Sequence, residues 1–326
     1  MKKIFITRDI AESGIAMLKN AGYEVTVSSH ERPLVKKELL KIFKKNKYDA
    51  VVTLLSDPID SDVIASMNGI KVISNYAVGF NNIDIKAAEK NNIVVCNTRA
   101  SSGYIVAEHA MALLLGLSSR ISFFDRYVKK GKYKGWDPLL LRGESLRGKT
   151  IGIIGSGDIG GHFAYMCKMA HGMQVLYFDI KKNEKIEKDL NALYISSVEE
   201  LLTLSDVVSL HVPLNTATHH LIDEKKIALM KKNALLINTS RGPVVDEKAL
   251  VRALKKGIIA GAGLDVFEFE PKLVSGLAKL DNVILTPHIA SATLENREEM
   301  SKIACKNIID VLENRHCDNI IKVPNS

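Results

Sequence analysis

Cysteine is scarce in this chain of 326 residues, which carries only Cys96, Cys167, Cys305 and Cys317. They are scattered, form no C-x-x-C pair and do not cluster with histidine. That argues against a disulfide framework and a structural zinc site, and leaves buried, reduced thiols in a cytoplasmic protein as the expectation. Long apolar runs are also missing. The longest, around Met111 to Leu117, falls well short of the roughly 20 residues a membrane span needs. The N-terminus reads Met1-Lys2-Lys3-Ile4-Phe5-Ile6-Thr7 and turns charged at Arg8-Asp9. That is too early for the apolar segment of a signal peptide and reads as a first buried strand. No long polar stretch marks disorder. The formal net charge is +8, but it is not gathered on one element. Lys36-Lys37, Lys44-Lys45 and Lys181-Lys182 stand near acids and read as solvated helix faces, so neither a nucleic-acid nor a membrane partner is expected. No histidines show ligand spacing with a carboxylate, so no metal is expected.

What is present is an ordinary globular composition, 46% hydrophobic and 25% charged. A single core rarely grows past about 250 to 300 residues, so two domains are expected. Short β-branched runs recur at Lys3 to Thr7, Glu24 to Ser28, Ala50 to Leu55, Lys71 to Tyr76 and Ile93 to Asn97. Helix-like segments lie between them, such as Ile10 to Ala21 and Leu34 to Asn46. This alternation argues for βαβ units and a parallel sheet. A second series begins at Thr150 with six apolar runs: Thr150 to Gly155, Met173 to Asp179, Val207 to His211, Ala234 to Thr239, Ile259 to Val266 and Val283 to Thr286. Such runs fit strands buried on both faces, and six fit a full doubly wound nucleotide-binding domain. Ser101 to Lys130 reads as a helical connection, and Ser291 to Asn314 as a long helix after the break at Pro287. The expected fold is α/β, with two doubly wound parallel-sheet domains. Residues 100–289 form a Rossmann domain inserted into a smaller flavodoxin-like domain of residues 1–99 and 290–326.

The strongest local signal is Ile151-Gly152-Ile153-Ile154-Gly155-Ser156-Gly157-Asp158-Ile159-Gly160. A G-x-G-x-x-G alone is weak, but this one follows an apolar strand, opens a helix and precedes a second strand ending in Asp179, about 20 residues on. Gly155 allows the sharp turn, Gly157 lets a pyrophosphate approach the backbone, and Gly160 lets helix pack on sheet. The helix N-terminus offers N–H groups and a positive dipole end to the anion. Asp179 is placed to accept from the adenosine ribose hydroxyls and to repel a 2′-phosphate. NAD (as NADH) is therefore expected over NADP, although Lys181 and Lys182 could soften that rejection.

Three further segments lie at strand ends, where doubly wound sheets bind ligands. They are Leu236-Ile237-Asn238-Thr239-Ser240-Arg241-Gly242-Pro243, Gly263-Leu264-Asp265-Val266-Phe267-Glu268-Phe269-Glu270-Pro271 and Thr286-Pro287-His288-Ile289-Ala290-Ser291-Ala292. Asn75 to Asp84 and Ile105-Val106-Ala107-Glu108 add two more. In this order the set resembles the D-isomer-specific 2-hydroxyacid dehydrogenase family over essentially the whole chain, nearest its glyoxylate and hydroxypyruvate reductase branch.

The resemblance implies reduction of a small 2-keto acid, with catalytic residues Arg241, Glu270 and His288. His288 would give the proton, because imidazole titrates near neutral pH. Glu270 would fix the imidazole tautomer and stabilise its charged form. Arg241 would bind the carboxylate and polarise the carbonyl. Substrate contacts would come from Leu55, Arg241, His288 and the backbone of Val78 and Gly79. Cofactor contacts would come from Val106, Gly155, Gly157, Asp158, Ile159, Gly160, Asp179, Val212, Pro213, Thr218, Thr239, Ser240, Arg241, Asp265, His288 and Ala290, with Asp265 facing the nicotinamide carboxamide. His109, His162, His171, His219 and His220 receive no role. Trp136, the only tryptophan, resembles one that enters a neighbouring subunit's site in hydroxypyruvate reductases, though Leu140 and Arg142 depart from that pattern. The alternative is an ordinary interface aromatic of the expected homodimer. Other readings are a D-lactate- or 3-phosphoglycerate-type dehydrogenase and a non-catalytic NAD-sensing corepressor. A Rossmann methyltransferase would give Arg241, Glu270 and His288 no role. Formate dehydrogenases carry Gln where Glu270 stands.

Overall fold

The computed structural model describes residues 1–99, 103–140 and 143–322. By contacts the chain divides into two compact units, Met1–Ser102 with Ala292–Ser326, and Gly103–Ser291. The first part of the smaller unit runs β1 (Lys3–Ile6), α1 (Glu12–Asn20), β2 (Glu24–Val27), α2 (Lys36–Lys45), β3 (Ala50–Leu54), α3 (Ser61–Ala65), β4 (Val72–Tyr76), α4 (Ile85–Lys90) and β5 (Val94–Cys96). The larger unit opens with α5 (Gly103–Ser118), α6 (Ile121–Lys129), β6 (Thr150–Ile154), α7 (Asp158–His171) and β7 (Gln174–Phe178). It continues with α8 (Glu184–Leu190), β8 (Leu193–Tyr194), α9 (Val198–Leu204), β9 (Val207–Leu210), α10 (Glu224–Ile227), β10 (Leu235–Asn238), α11 (Glu247–Lys256), β11 (Gly261–Leu264) and β12 (Val283–Leu285). The long helix α12 (Leu294–Leu312) then belongs to the smaller unit.

The smaller unit holds a parallel sheet of order β2-β1-β3-β4-β5, the flavodoxin-like order. Its central strands bury both faces. One core joins Ile4, Ile6 and Val52 to Ile15 and Leu18 of α1 and Met300 and Ile308 of α12. The other joins Phe5, Val51 and Ile73 to Leu39 and Phe43 of α2 and Val63 of α3. The segment of residues 319–321 is tied to the edge strand, since Asn97 N donates to Asn319 O at 3.1 Å and Ile321 N to Val95 O at 2.8 Å. All four cysteines are free and buried.

The larger unit holds seven parallel strands in the order β12-β11-β10-β9-β6-β7-β8. Six were expected from the sequence. The seventh, β8, has two residues and an exposed Leu193, too little to show a period. One face packs on α5 and α7 through Ala110, Leu114, Phe163 and Ala164, and the other on α9 and α11 through Leu201, Leu202, Leu250 and Leu254. The strand order reverses between β6 and β9, which leaves a crevice at their C-terminal ends. Side chains of Asn183, Ser197, Asp223 and Asp246 cap α8, α9, α10 and α11, and so fix where those helices begin.

The connection expected as one helix over Ser101 to Lys130 is broken, and Ser101 itself lies outside the described residues. Arg120 adopts φ 56° and α6 departs from α5 at 60°. The physical reason is burial: α5 buries seven residues in the core, whereas α6 buries none, so nothing holds it to the first axis. Among the described residues no single helix is long and apolar enough to cross a membrane.

Candidate active site

The glycine loop sits at the crevice. Gly155 has φ +94°, and a Cβ there would stand 2.7 Å from His211 O, so only glycine leaves β6 in this direction. At Gly160 a Cβ would run into the carbonyl of Gly155. At Gly157 it would face open space, and α7 starts after Gly157 without a side-chain cap. Open room above an uncapped helix start is what an anionic pyrophosphate needs, so the loop fits a dinucleotide. Asp158 opens α7 and Ile159 follows it. Asp179 Oδ2 accepts from Ser156 N at 2.7 Å and from Ser156 Oγ at 3.0 Å. Asn183 Nδ2 donates to Ser156 O at 2.6 Å, so the turn is held from both sides. Lys182 Nζ stands 5.3 Å from the centre of the Tyr194 ring.

At the neighbouring strand ends, Thr218 Oγ1 donates to Pro213 O at 2.6 Å and accepts from Asn215 N at 2.9 Å, which pins the loop after Val212. Among the described residues three buried side-chain atoms have no hydrogen-bond partner, and two of them, Thr239 Oγ1 and His211 Nδ1, lie here. Their residues follow Asn238 and Leu210, which are paired across β10 and β9. Unsatisfied polar atoms at this edge fit a polar ligand group. Burial pushes the His211 imidazole down to about 3, so it is neutral, with Nε2 2.9 Å from Ser209 Oγ. Sequence reasoning saw this residue only as a strand end.

The ends of β10, β11 and β12 carry the charged groups. Arg241 follows β10, where Asn238 Nδ2 donates to Arg241 O at 3.0 Å and Asn238 Oδ1 accepts from Ser240 N and Oγ at 3.0 and 2.7 Å. Gly242 has no room for a Cβ against the Phe267–Glu268 backbone, so the Arg241 turn lies directly on the segment bearing Glu270. His288 Nδ1 is 2.9 Å from Glu270 Oε2, and Glu270 Oε1 accepts from Phe267 N at 3.0 Å. An ionised carboxylate only accepts, so Nδ1 carries hydrogen and Nε2 is the ring nitrogen left for chemistry. Burial pushes the Glu270 carboxyl up, but the hydrogen bond and charge of His288, the Phe267 amide and Arg241 outweigh it and hold it below the usual range. Burial lowers the Arg241 guanidinium from its ordinary value against the opposing pull of Glu270. The guanidinium stays charged at neutral pH.

His288 itself has φ 54°, a conformation that costs a non-glycine residue on the order of 1 kcal/mol or more. Asp265 holds it there. Its backbone oxygen accepts from His288 N at 2.8 Å, Oδ1 from Ile289 N at 2.9 Å and Oδ2 from Ala290 N at 2.8 Å. Thr286 Oγ1 donates to Oδ1 at 2.6 Å, and His109 Nε2 lies 3.0 Å from that hydroxyl and 3.4 Å from Oδ1. Burial raises the Asp265 carboxyl, yet the His109, Thr286, Ile289 and Ala290 donors bring it below its ordinary value. A second pair steadies the hairpin before Glu270. His220 Nε2 is 3.0 Å from Glu268 Oε1, Glu268 Oε2 accepts from Glu247 N at 3.1 Å, and Glu247 Oε2 accepts from Glu268 N at 2.7 Å. His109 and His220 were given no role from sequence, because their carboxylate partners lie 156 and 48 residues away in the chain.

A carboxyl whose folded pKa is depressed adds stability above its unfolded value, near 4, and that stability is lost as pH falls through the folded value. Asp265→Asn is therefore expected to melt lower than wild type at pH 7, by on the order of 2 kcal/mol. The gap should narrow below about pH 4. Thermal melts between pH 7 and 3 measure this, and a gap constant with pH would remove the electrostatic account.

Arg241, Glu270, His288 and Asp265 thus meet at one end of the larger unit's sheet. Leu55, Val78 and Gly79 belong to the smaller unit. There Asn97 Nδ2 and Asn75 Nδ2 donate to the carbonyls of Val78 and Gly79, each at 2.8 Å, and so order that loop. Sequence reading placed Asn75 at the start of this loop but gave neither it nor Asn97 the part of a donor. Val106 is buried on α5, and Trp136 is 84% exposed. Arg142 lies outside the described residues.

A dinucleotide loop and a histidine–carboxylate pair beside a half-buried arginine, on a doubly wound sheet, define a nicotinamide-dependent oxidoreductase. The model of the D-isomer specific 2-hydroxyacid dehydrogenase NAD binding domain matches residues 111–290. The chain is 45% identical over 311 residues to a glyoxylate reductase of Thermococcus litoralis, covering 94% of this chain and 92% of that one. A protein of Thermus thermophilus superposes with TM-score 0.90 at 37% identity, covering 98% of this chain and 100% of that one. A D-lactate dehydrogenase of Aquifex aeolicus, solved with NAD and lactic acid, superposes with TM-score 0.86 at 32% identity, covering 99% and 100%. The chain belongs to the D-isomer specific 2-hydroxyacid dehydrogenase family.

Proposed function

We propose that the protein uses NADH to reduce glyoxylate, hydroxypyruvate and similar small 2-keto acids to 2-hydroxy acids, with His288 as proton donor. The observation that carries this reading is the 2.9 Å pair of His288 and Glu270, with the half-buried Arg241 guanidinium acting on the same carboxylate. The name of the Thermococcus relative supports glyoxylate as a substrate. Gly155, Gly157, Asp158, Ile159 and Gly160 would hold the pyrophosphate. Val106, Val212, Pro213, Thr218, Thr239, Ser240, Asp265 and Ala290 would line the rest of the dinucleotide site. Bound there, a reduced nicotinamide would supply a hydride.

Arg241 binds the substrate carboxylate with a permanent charge and a forked donor set, and polarises the keto group. Leu55 and the backbone of Val78 and Gly79 are the substrate contacts proposed in the smaller unit. The Nε2–H of protonated His288 passes to the oxygen that becomes the hydroxyl. Glu270 keeps the hydrogen on Nδ1 throughout, so the ring is left neutral and in one tautomer after it gives up the proton. Steady-state turnover of NADH with glyoxylate, hydroxypyruvate, pyruvate and phosphohydroxypyruvate tests the reading. Inactivity with all four would favour the NAD-sensing alternative.

Asp179 supports NAD over NADP, because its carboxylate would meet a 2′-phosphate with like charge. Asp179→Ala is expected to raise the NADPH-to-NADH ratio of kcat/KM by about tenfold. It should also lower Tm, because Ser156 N and Oγ lose their acceptor. Initial rates with each cofactor decide, and a wild type that already prefers NADPH would remove the ribose argument. Exposed Ile121, Val128, Tyr133, Trp136 and Leu139 follow one another along α6 and the segment after it, and support a homodimer. The four buried free thiols support the cytoplasm as the compartment.

A further inference from the structure

We propose that His109 is a positioning residue for His288, acting through Thr286 and Asp265. The proposal rests on the reading of His288 as proton donor.

Hydrogen counting fixes the direction of the contacts. Asp265 is 1% exposed, and its carboxylate can only accept. The Thr286 hydroxyl has one hydrogen and gives it to Asp265 Oδ1 at 2.6 Å. Toward His109, 3.0 Å away, Thr286 Oγ1 is therefore the acceptor, and His109 Nε2 must carry a hydrogen. The order His109 Nε2–H to Thr286 Oγ1–H to Asp265 Oδ1 has one direction only. It is the same whether the His109 ring is neutral or charged.

This relay of hydrogen bonds ends on the group that shapes the catalytic loop. Asp265 receives the amides of His288, Ile289 and Ala290 on three different oxygens, while His288 sits at φ 54°. A non-glycine residue keeps that conformation only where its surroundings over-determine it. His109 projects from α5, which packs against β11 and β12, the strands that lead into Asp265 and Thr286. A rigid helix in the core thereby sets the orientation of the carboxylate, and the carboxylate sets the loop that aims the imidazole. His109 is outside the reacting groups, so its loss should change the alignment of His288 rather than the affinity for keto acid.

Wild type, His109→Ala and His109→Gln, each as the full chain, test this. Glutamine can place an amide N–H near the position of Nε2. His109→Ala is expected to lower kcat for glyoxylate about 10- to 100-fold, with KM changed less than about threefold. Amide hydrogen exchange at Ile289 and Ala290, measured without cofactor, should quicken by about tenfold. His109→Gln should restore kcat and exchange to within about threefold of wild type. Unchanged exchange and kcat in the alanine variant would overturn the proposal, as would a glutamine variant no better than alanine. His288→Ala, run in parallel, separates the two readings. If that variant still turns over, the proton-donor reading fails, while the exchange data still report on the hold of His109 over the loop.

Discussion

Replacing His288 by alanine is expected to lower kcat for 2-keto acid reduction by about 10²- to 10⁴-fold, the usual contribution of one positioned proton donor. The imidazole is paired through Nδ1 with Glu270 at 2.9 Å, so a single ring nitrogen is left to act on substrate. NADH binding, followed by quenching of protein fluorescence, should change little, because the glycine loop and Asp179 belong to other strand ends. Glu270→Gln is the companion variant. It preserves shape but not charge, so the protonated ring loses its stabilising partner. Its kcat for keto acid should fall while NADH binding changes little, which steady-state rates and the same quenching measurement check. Near-normal turnover in His288→Ala would end the proton-donor assignment.

The second large effect is expected at Arg241. Its side chain is half-buried, with Glu270 as the opposite charge that favours its ionised form. Charge-assisted hydrogen bonds to an ionised partner are worth about 1.5 to 3 kcal/mol each, and a forked pair to a carboxylate sums two of them. Arg241→Gln should therefore cost about 10²- to 10⁴-fold in kcat/KM, with much of it in KM. Arg241→Lys keeps the charge but not the planar fork and should fall between the two. A Gln variant within about threefold of wild type would mean that the carboxylate is bound elsewhere. The two replacements also test independence. Arg241 and His288 both interact with Glu270, so their effects should not add in the double variant.

Much of the architecture is legible in the sequence. The runs at Val207, Leu235 and Val283 are apolar and β-branched because parallel strands are covered on both faces, and that pattern survives without a partner in view. The glycine loop is legible for a different reason: Gly155 and Gly160 answer backbone constraints local to one turn. The pairing of Glu270 with His288 came only through family resemblance, because nothing in their spacing places two side chains 2.9 Å apart. What was missed follows the same line. Strand β8 is too short to show a period, and the break at Arg120 depends on what α6 fails to bury. His109 and His220 meet their partners Thr286 and Glu268 only once distant segments have packed. The clearest case is His211, which burial turns neutral although its sequence neighbours are ordinary strand residues.

By itself the sequence determined the alternation of strand and helix, the phosphate-binding turn and the family, because periodicity, glycine geometry and motif order are properties of neighbours in the chain. Only the tertiary structure decided which ring nitrogen of His288 is left for chemistry, why its loop can hold φ 54°, and that Asp265, Thr286 and His109 share one directed set of hydrogen bonds. Those outcomes depend on burial and on donors from distant elements, and both exist only once the strands and helices have packed.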